Sequence, residues 1–262
     1  MIERLIKEHF DLHCTEVEAL NTGTTSNVYK ITASKKEFVL KSNISKSLAE
    51  AEFICLKILS QEGLAPEPLK TAAGEMIIQI ENDFYFLMNY LESIPSIKND
   101  IDFELLGSTV RQMHQILKQL DIPRRDDRFN EQEMAGQIEN NALRQEINEY
   151  LSRNTYFKES SRSLIHGDLG SWNILYSPHG IKFIDFADVR PGSPYFDLAA
   201  IIESFNLNHA ETESLMKGYD RNASYQLMLN TAHKKWRIRG ILFMASNQLL
   251  SNEQLLKMVK SL

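Results

Sequence analysis

The pattern of apolar and polar positions changes character well before the middle of the chain. The first part alternates short runs of β-branched and aromatic residues with turn signals, a pattern typical of strands. It predicts strands over residues 17–20, 28–32, 37–41, 76–80 and 84–90. Residues 45–61 instead show helical spacing, and Gly63 lies just past their end. We therefore expect a small antiparallel sheet that carries one helix.

Helical spacing dominates the rest of the chain. Residues 101–120 have apolar positions on one face and predict an amphipathic helix. Residues 131–150 are interpreted as another helix, and the pattern from Leu198 onward is helical again. A short irregular stretch, 163–197, lies between them and holds the clearest motifs.

Composition and charge narrow the class of protein. Of the 262 residues, 43% are hydrophobic and 24% are charged, which is ordinary for a globular protein with a sizeable core. The formal net charge of −6 argues against nucleic-acid binding and mildly favours a cationic substrate. No apolar stretch approaches the roughly 20 residues of a membrane helix, and the charged N-terminus does not resemble a signal peptide. Cys14 and Cys55 have neither metal-ligand nor redox spacing. We expect a cytoplasmic protein without a membrane partner, and the sequence leaves monomer and homodimer open.

The strongest chemical signal is the loop from His166 to Asn173, followed by Asp185 at the end of a predicted strand. Apolar residues flank this loop, so Asp168 and Asn173 can face one cleft. Phosphoryl transfer needs one group to orient the attacking hydroxyl and oxygen ligands for Mg²⁺. A lone HxD is common by chance, and Asp and Asn in loops often only cap or turn. HxDxxxxN followed by a strand-ending Asp is a composite signal, and it predicts a kinase.

These motifs resemble those of the aminoglycoside phosphotransferase and choline kinase-like family. The residues that carry the resemblance are His166-Gly167-Asp168, Asn173, Ile184-Asp185-Phe186, Gly192, Pro194 and Asp197-Leu198-Ala199. The resemblance is specific over residues 163–199 and looser over the N-terminal part. It implies an α+β, bilobal protein-kinase-like fold. A small antiparallel-sheet lobe over 1–91 would bind nucleotide, and a mostly helical lobe over 92–262 would hold the catalytic and acceptor sites.

The resemblance also implies roles for individual residues of the loop. Asp168 would be the catalytic base, and Asn173 and Asp185 would be the Mg²⁺ ligands. His166 would brace the loop against the Asp185 strand. Asp197 would be a buried carboxylate that accepts hydrogen bonds from the loop backbone, with a simple helix-start residue as an equal alternative.

On the same resemblance, the N-terminal lobe binds ATP or GTP. The loop 21–28 could cradle phosphate oxygens, although by itself it is better interpreted as a plain hairpin turn. Lys41 ends a strand and could reach the phosphates as a point charge. Glu52 is expected to pair with it, with Glu50 as the alternative. The residues predicted to contact the nucleotide are Gly23, Thr24, Thr25, Ser26, Lys41, Glu52, Met88, Asn89 and Tyr90, the last three through a hinge that meets the adenine.

Departures from protein kinases favour a small acceptor. Gly167 stands where protein kinases usually carry the Arg that senses a phosphorylated activation loop, and Ala187 replaces the DFG glycine. The run between Asp185 and Asp197 is too short for a segment that docks a peptide. We therefore expect a small-molecule hydroxyl acceptor such as an aminoglycoside or an amino-alcohol. The main alternative is a pseudokinase that binds nucleotide without turnover. A metal hydrolase built on His166 and Asp168 lacks further ligand clusters.

Two conspicuous residues are interpreted as structural. His114 lies on a predicted amphipathic helix and is expected to be a core histidine rather than a ligand. Trp172 is expected to be a packing anchor of the loop rather than a platform for substrate.

Overall fold

The computed structural model describes residues 2–20, 26–94, 98–122, 130–154, 163–220 and 225–262. Its strands are β1 (Cys14–Ala19), β2 (Val28–Ala33), β3 (Lys36–Asn43), β4 (Pro68–Leu69), β5 (Ile78–Ile80), β6 (Asp83–Asn89), β7 (Ser163–Ile165), β8 (Ile174–Ser177), β9 (Gly180–Phe183) and β10 (Arg190–Gly192). Its helices are α1 (Ile2–Phe10), α2 (Lys46–Gln61), α3 (Phe103–Leu117), α4 (Glu131–Gly136), α5 (Asn141–Arg153), α6 (Pro194–Ser204), α7 (His209–Tyr219), α8 (Tyr225–Ser246) and α9 (Asn252–Lys260). Short 3₁₀ turns lie at Lys98–Asp100, Ser171–Asn173 and Phe186–Asp188.

The N-terminal region is an antiparallel sheet that carries α2, as the sequence predicts. The strand order is β1-β2-β3-β6-β4, and β5 also pairs with β6. Helix α2 begins where the Ser45 hydroxyl accepts a hydrogen bond from the Leu48 N–H. It buries Phe53 edge-on against Phe86 of β6, with ring centroids 6.2 Å apart. This contact fixes the helix to the strand that leads into the C-terminal region.

Helix α1 was not predicted, because its charged residues were considered only as evidence against a signal peptide. The apolar residues between those charges recur at helical spacing. Ile6 and Phe10 are consequently buried with Phe38 and Leu40 of the sheet in one apolar cluster. The helix therefore covers a face of the sheet that water would otherwise reach.

The C-terminal region is mostly helical, and α3 and α7 approach each other very closely. A methyl group at Gly107 would overlap the backbone carbonyl of Leu215, and one at Gly218 would overlap the carbonyl of Glu104. Two glycines at the crossing thus let the backbones touch.

The single helix predicted over 131–150 is wrong, because two helices occupy that range. Helix α4 ends at Gly136, and α5 begins after Asn140, whose side chain accepts a hydrogen bond from the Leu143 N–H. An Asn side chain that caps a backbone N–H favours a new helix start over continuation of the previous helix.

Short strands bring the polar loops of the motif region together. Strand β7 pairs with β10, and β8 pairs with β9. The Phe183 N–H donates to the Leu64 carbonyl at 2.7 Å, and the Lys182 ammonium donates to the Gly63 carbonyl. Both bonds tie β9 to the chain just after α2.

The observed architecture confirms the predicted mixed α+β class, with an antiparallel sheet followed by a helical remainder. The chain lacks regular secondary structure from Tyr90 to Ile94. The predicted division into 1–91 and 92–262 falls in this segment and stays a prediction. None of the described helices combines the length and the apolar character needed to cross a bilayer.

Candidate active site

A buried carboxylate holds the loop that follows β7. Asp197, in the first turn of α6, accepts hydrogen bonds from the N–H groups of His166 at 2.7 Å and Gly167 at 2.9 Å. The expectation of a buried carboxylate on the loop backbone is confirmed, and the residue also starts a helix. Burial alone would raise the pKa of Asp197, but the hydrogen bond from His114 and the loop N–H groups hold the pKa below its usual range.

His114 is buried, as expected for a core histidine, but it also belongs to this network. Its Nε2 lies 2.9 Å from Asp197 Oδ2, and its Nδ1 lies 2.9 Å from the Tyr219 hydroxyl. The network therefore links α3, α6 and α7 to the loop. The sequence analysis missed this network, because its partners are far apart along the chain.

His166 braces the loop in the predicted way. Its Nε2 is 2.9 Å from the carbonyl oxygen of Ile184, the residue before Asp185. Its ring also packs against Phe186, with centroids 4.6 Å apart. The loop and the end of the β9 segment are thereby held side by side.

Arg190 holds the loop through hydrogen bonds to backbone carbonyls, a role that was not predicted from the sequence. Gly167 has φ +88°, and a Cβ there would overlap the Arg190 guanidinium and the Asp188 carbonyl. Nη1 of Arg190 donates to the carbonyls of Gly167 and Asp188, each at 3.1 Å. Gly167 could have indicated this role. Protein kinases usually have an Arg at this position, and a loop without that side chain can be held by an arginine from another part of the chain.

Asp168 is half-buried at the centre of the loop. Its Oδ2 accepts hydrogen bonds from Asn173 Nδ2 at 3.2 Å and from Trp172 Nε1 at 3.3 Å. Burial raises the pKa of Asp168 to about 6, and the hydrogen bond from Trp172 opposes this rise. Its Oδ1 has no hydrogen-bond partner among the described residues.

The prediction that Trp172 is a packing anchor is wrong. Its side chain is 56% exposed, whereas the next residue, Asn173, is buried. The 3₁₀ turn at Ser171–Asn173 changes the direction of successive side chains, so Asn173 faces inward and Trp172 faces outward.

Asp185 adopts a strained backbone conformation at the end of the β9 segment, with φ 63° and ψ 67°. Its Oδ1 accepts hydrogen bonds from Lys41 Nζ at 2.6 Å and from the Ala187 N–H at 3.3 Å. The positive charge of Lys41 outweighs the desolvation of this carboxylate and holds the pKa of Asp185 below its usual range.

Lys41 is buried between two carboxylates. Its Nζ lies 2.7 Å from Glu52 Oε1 and 2.6 Å from Asp185 Oδ1. Glu52 is therefore the partner, as predicted, while Glu50 pairs with Lys46 at 3.6 Å. Desolvation alone would lower the pKa of Lys41, but the two carboxylates raise it to about 12. The ammonium thus stays charged and links the sheet, α2 and the Asp185 turn.

The donor set around Asp185 fits a hard divalent cation that also binds phosphates. Asn173 uses its Nδ2 to donate to Asp168, which leaves its Oδ1 for a cation. Lys41 and Ala187 engage only Oδ1 of Asp185. No group of three or more His, Cys, Asp or Glu side chains in the described ranges could hold a metal ion without further ligands. Such a sparse set suits Mg²⁺, which usually takes one or two protein ligands and completes its shell with substrate phosphates.

Part of the predicted nucleotide loop lies outside the described residues, namely Gly23, Thr24 and Thr25. Ser26 is partly buried. The next residue, Asn27, is fixed to β3, because its N–H donates to the Ser42 hydroxyl at 2.9 Å and its carbonyl accepts from the Ser42 N–H at 2.9 Å. The far end of the loop is thereby tied to the strand that carries Lys41.

The predicted hinge residues end β6. Met88 is buried in the sheet between Val39 and Pro68. The N–H groups of Asn89 and Tyr90 donate to backbone carbonyls at 2.9 Å and 3.1 Å. These two N–H groups are therefore not available to a nucleotide base.

Several known proteins resemble this chain. The model of the phosphotransferase enzyme family matches residues 16–233. A 66-residue stretch is 32% identical to the protein LicA homolog of Mycoplasma capricolum subsp. capricolum. This stretch covers 25% of the chain, and the chain spans only 28% of that curated relative.

Solved kinases share the fold at low sequence identity. The amicoumacin kinase hAmiN, in complex with AMP-PNP, Ca²⁺ and Ami, has a TM-score of 0.83 at 17% identity, over 99% of this chain and 91% of that chain. A microcompartment-associated aminopropanol kinase has a TM-score of 0.75 at 17% identity, over 99% and 93%. Choline kinase LicA from Streptococcus pneumoniae has a TM-score of 0.72 at 18% identity, over 100% and 98%.

At these identities the likeness to solved structures establishes the fold alone, and it agrees with the predicted kinase-like architecture. The family model is broader evidence, because it spans most of the chain and includes the loop from His166 to Asn173 and Asp185. The chain therefore belongs to the phosphotransferase enzyme family.

Proposed function

We propose that the chain transfers the γ-phosphoryl group of ATP or GTP to a hydroxyl of a small cationic acceptor such as an amino-alcohol or an aminoglycoside. The observation that carries this proposal is the position of Lys41. Its ammonium contacts Glu52 of α2 and Asp185, while the Asp185 segment is tied through His166 to the loop that carries Asp168. These contacts support a single site in which Lys41 binds the phosphates and Asp168 is the base.

The nucleotide lies, on this proposal, between the sheet and the catalytic loop. Lys41 binds the α- and β-phosphates as a point charge, and the loop 21–28 covers the phosphates with backbone N–H groups and hydroxyls. The base contacts the chain from Met88 to Glu92. The engaged N–H groups of Asn89 and Tyr90 favour the later part of this range.

Asn173 and Asp185 would hold Mg²⁺ by the oxygens that their other contacts leave open. When bound, the cation neutralises charge on the phosphates of the donor. Lys41 fixes the orientation of the Asp185 carboxylate, and Asp168 fixes the orientation of the Asn173 amide.

Asp168 acts as the base of the transfer. Its Oδ1 accepts the proton of the acceptor hydroxyl, whose oxygen then forms a bond to the γ-phosphorus. The bond between the γ-phosphorus and the bridging oxygen breaks, and the nucleoside diphosphate leaves with that oxygen. Asp197, His166 and Arg190 hold the loop so that little reorganisation is needed during the reaction.

Two observations support a small, cationic acceptor. The run from Asp185 to Asp197 is short and is occupied by a 3₁₀ turn and β10, so it forms no peptide platform. Structural neighbours include kinases named for aminopropanol and choline, which are both alcohols with a basic or quaternary nitrogen.

Phosphorus NMR with a panel of acceptors tests this function. Purified chain is incubated with Mg²⁺ and ATP or GTP and with aminoglycosides, amino-alcohols, sugars and macrolides. Each amino-alcohol is matched with its uncharged diol. We expect a phosphate monoester with at least one amino-alcohol or aminoglycoside and weaker transfer to the diol. Tight nucleotide binding without transfer or hydrolysis would instead identify a pseudokinase, and phosphorylation of casein would overturn the small acceptor.

A further inference from the structure

The exposed indole of Trp172 lies directly beside the candidate base. Its side chain is 56% exposed, and its Nε1 donates to Asp168 Oδ2 at 3.3 Å. An aromatic side chain that is mostly exposed gains little from packing in its own core. Its position next to Asp168 therefore points to a partner outside the chain.

Gly170 shows that the loop is shaped around this indole. Its φ of −80° and ψ of 170° are open to any L-residue, so the backbone does not require glycine. A Cβ at this position would nevertheless overlap the indole ring atoms Cζ2, Cε2 and Cη2 of Trp172. The ring occupies the space that a side chain at this position would need, and any side chain there would displace it.

The turn beneath the indole is fixed to α6. The Ser171 N–H donates to the Ser204 hydroxyl at 2.9 Å. On the other side of Trp172, the buried Asn173 donates to both the backbone carbonyl and the carboxylate of Asp168. The backbone on both sides of Trp172 is thus held, which keeps the indole against Asp168.

The position of the acceptor follows from Asp168. Oδ2 of this carboxylate already accepts from Trp172 and Asn173, and Oδ1 has no partner among the described residues. An acceptor hydroxyl must come within hydrogen-bond distance of the base. A molecule that reaches Oδ1 therefore comes close to the indole.

We propose that Trp172 forms one wall of the acceptor site and that its N–H positions the Asp168 carboxylate. This assignment rests on the proposed function. The face of an indole attracts a cation more strongly than any other aromatic side chain does. Trp172 therefore selects alcohols that carry an ammonium group close to the reacting hydroxyl.

Three variants separate the two parts of this role. Trp172→Phe keeps an aromatic face and removes the N–H, so we expect a fall of about five-fold in kcat with a nearly unchanged acceptor KM. Trp172→Ala also removes the face, so the acceptor KM rises about ten-fold. Gly170→Ala leaves the indole present but displaces it, and should raise the acceptor KM like Trp172→Ala. The KM for nucleotide should change little in all three variants.

A double-mutant cycle tests whether Gly170 acts through the indole. Gly170→Ala should have almost no further effect on acceptor KM in the Trp172→Ala background, because the ring that it displaces is already absent. Independent effects of the two substitutions would mean that Gly170 serves the loop by another route.

The fluorescence of Trp172 distinguishes an acceptor contact from a purely structural role, because a structural role predicts no change in emission when the acceptor binds. The chain has two tryptophans, so a Trp236→Phe background leaves Trp172 as the single indole. With AMP-PNP and Mg²⁺ present, addition of the acceptor should change the emission of this protein. The kinetic parameters of the Trp236→Phe protein are measured before the fluorescence experiment. The kinetic comparison of the Trp172 and Gly170 variants uses the wild-type chain as its reference.

The outcomes distinguish this assignment from the function on which it rests. Suppose that the wild type transfers phosphate. An acceptor KM within about two-fold of wild type in Trp172→Ala and Gly170→Ala, or an unchanged Trp172 emission, then overturns the role of Trp172 and leaves the proposed function standing. A wild-type chain that binds nucleotide but transfers to no member of the acceptor panel overturns both. A raised acceptor KM in both variants with unchanged nucleotide KM supports the assignment.

Discussion

The two sides of the proposed active site, one for the nucleotide and one for the acceptor, are built very differently. On the nucleotide side, Lys41 and Glu52 form a buried ion pair that a third residue, Asp185, extends. On the acceptor side, Asp168 is half-buried, Trp172 is largely exposed, and the Asp168 carboxylate accepts hydrogen bonds of 3.2–3.3 Å.

This difference indicates which part of the site can vary. A buried charge without its partner is costly. Lys41, Glu52 and Asp185, which we call the Lys41 group, can therefore not be replaced one at a time without a loss of stability. An exposed indole carries no such constraint, and its replacement leaves no buried charge behind. We infer that the nucleotide side is fixed by folding, while the acceptor side can change with substrate at little cost in stability.

The largest expected effect is a fall in the rate of phosphoryl transfer when the candidate base is replaced. Asp168→Asn removes the proton acceptor, so transfer should fall by about 10²- to 10⁴-fold. Nucleotide affinity, measured by calorimetric titration with AMP-PNP and Mg²⁺, should stay close to wild type, because the Lys41 group is intact. Transfer within a few-fold of wild type would remove Asp168 from the role of base.

A stability measurement sharpens the contrast between buried and exposed charge. Lys41→Met leaves Glu52 buried without its cation and should lower the free energy of unfolding by about 3–5 kcal/mol in denaturant titration. The control is Lys57→Met, which breaks an ion pair to Glu67 whose side chains are 39% and 56% exposed, and which should cost about 0.2–1 kcal/mol. Adding Glu52→Gln to Lys41→Met should recover part of the loss. Equal losses for Lys41→Met and Lys57→Met would contradict the comparison.

Removal of the shared carboxylate should act mainly on nucleotide binding. Asp185→Ala should weaken Mg²⁺-dependent nucleotide affinity by at least about 10- to 100-fold, the range found for partners that only support metal ligands. Calorimetric titrations with and without Mg²⁺ check this, and Asp11→Ala, at an exposed carboxylate paired with Lys7, is the control. Unchanged affinity in Asp185→Ala would remove Asp185 from the cation site.

The smallest effect is a dependence of stability on pH. The pKa of Asp197 lies below its usual value in the folded chain, so the charged form stabilises the fold above the unfolded pKa of about 3.9. That contribution is lost as the pH falls through the folded pKa, with a slope of at most about 1.4 kcal/mol per pH unit. Denaturant titrations from pH 5 to pH 3 measure this slope. Asp197→Asn should flatten it, and an equally steep slope in that variant would assign the effect to other groups.

The sequence predicted those elements whose signals are local. Alternation was sufficient for β2 and β3, and helical spacing that ends just before Gly63 was sufficient for α2. The Lys41–Glu52 pair followed from the family resemblance. The break before α5 was missed, although Asn140 inside the predicted helix was a local signal for it.

The acceptor side was less predictable, because it depends on where a backbone turn directs its side chains. Trp172 and Asn173 are adjacent in sequence, yet one faces water and the other is buried. The expectation that Trp172 anchors the loop took no account of the turn at Ser171–Asn173, which directs the indole outward. It also took no account of Gly170, where the absence of a Cβ leaves room for the ring. Arg190 was missed for a similar reason, since its contact with Gly167 joins residues 23 positions apart.

The way in which Arg190 holds the catalytic loop has a consequence for control in the cell. In many protein kinases a loop arginine waits for a phosphate on a separate segment, so catalysis depends on a covalent signal. Here the guanidinium is buried and already hydrogen-bonded to the carbonyls of Gly167 and Asp188. We expect the enzyme to be active as soon as it has folded, so that phosphatase treatment leaves its activity unchanged and flux follows the rate of its synthesis and the supply of acceptor.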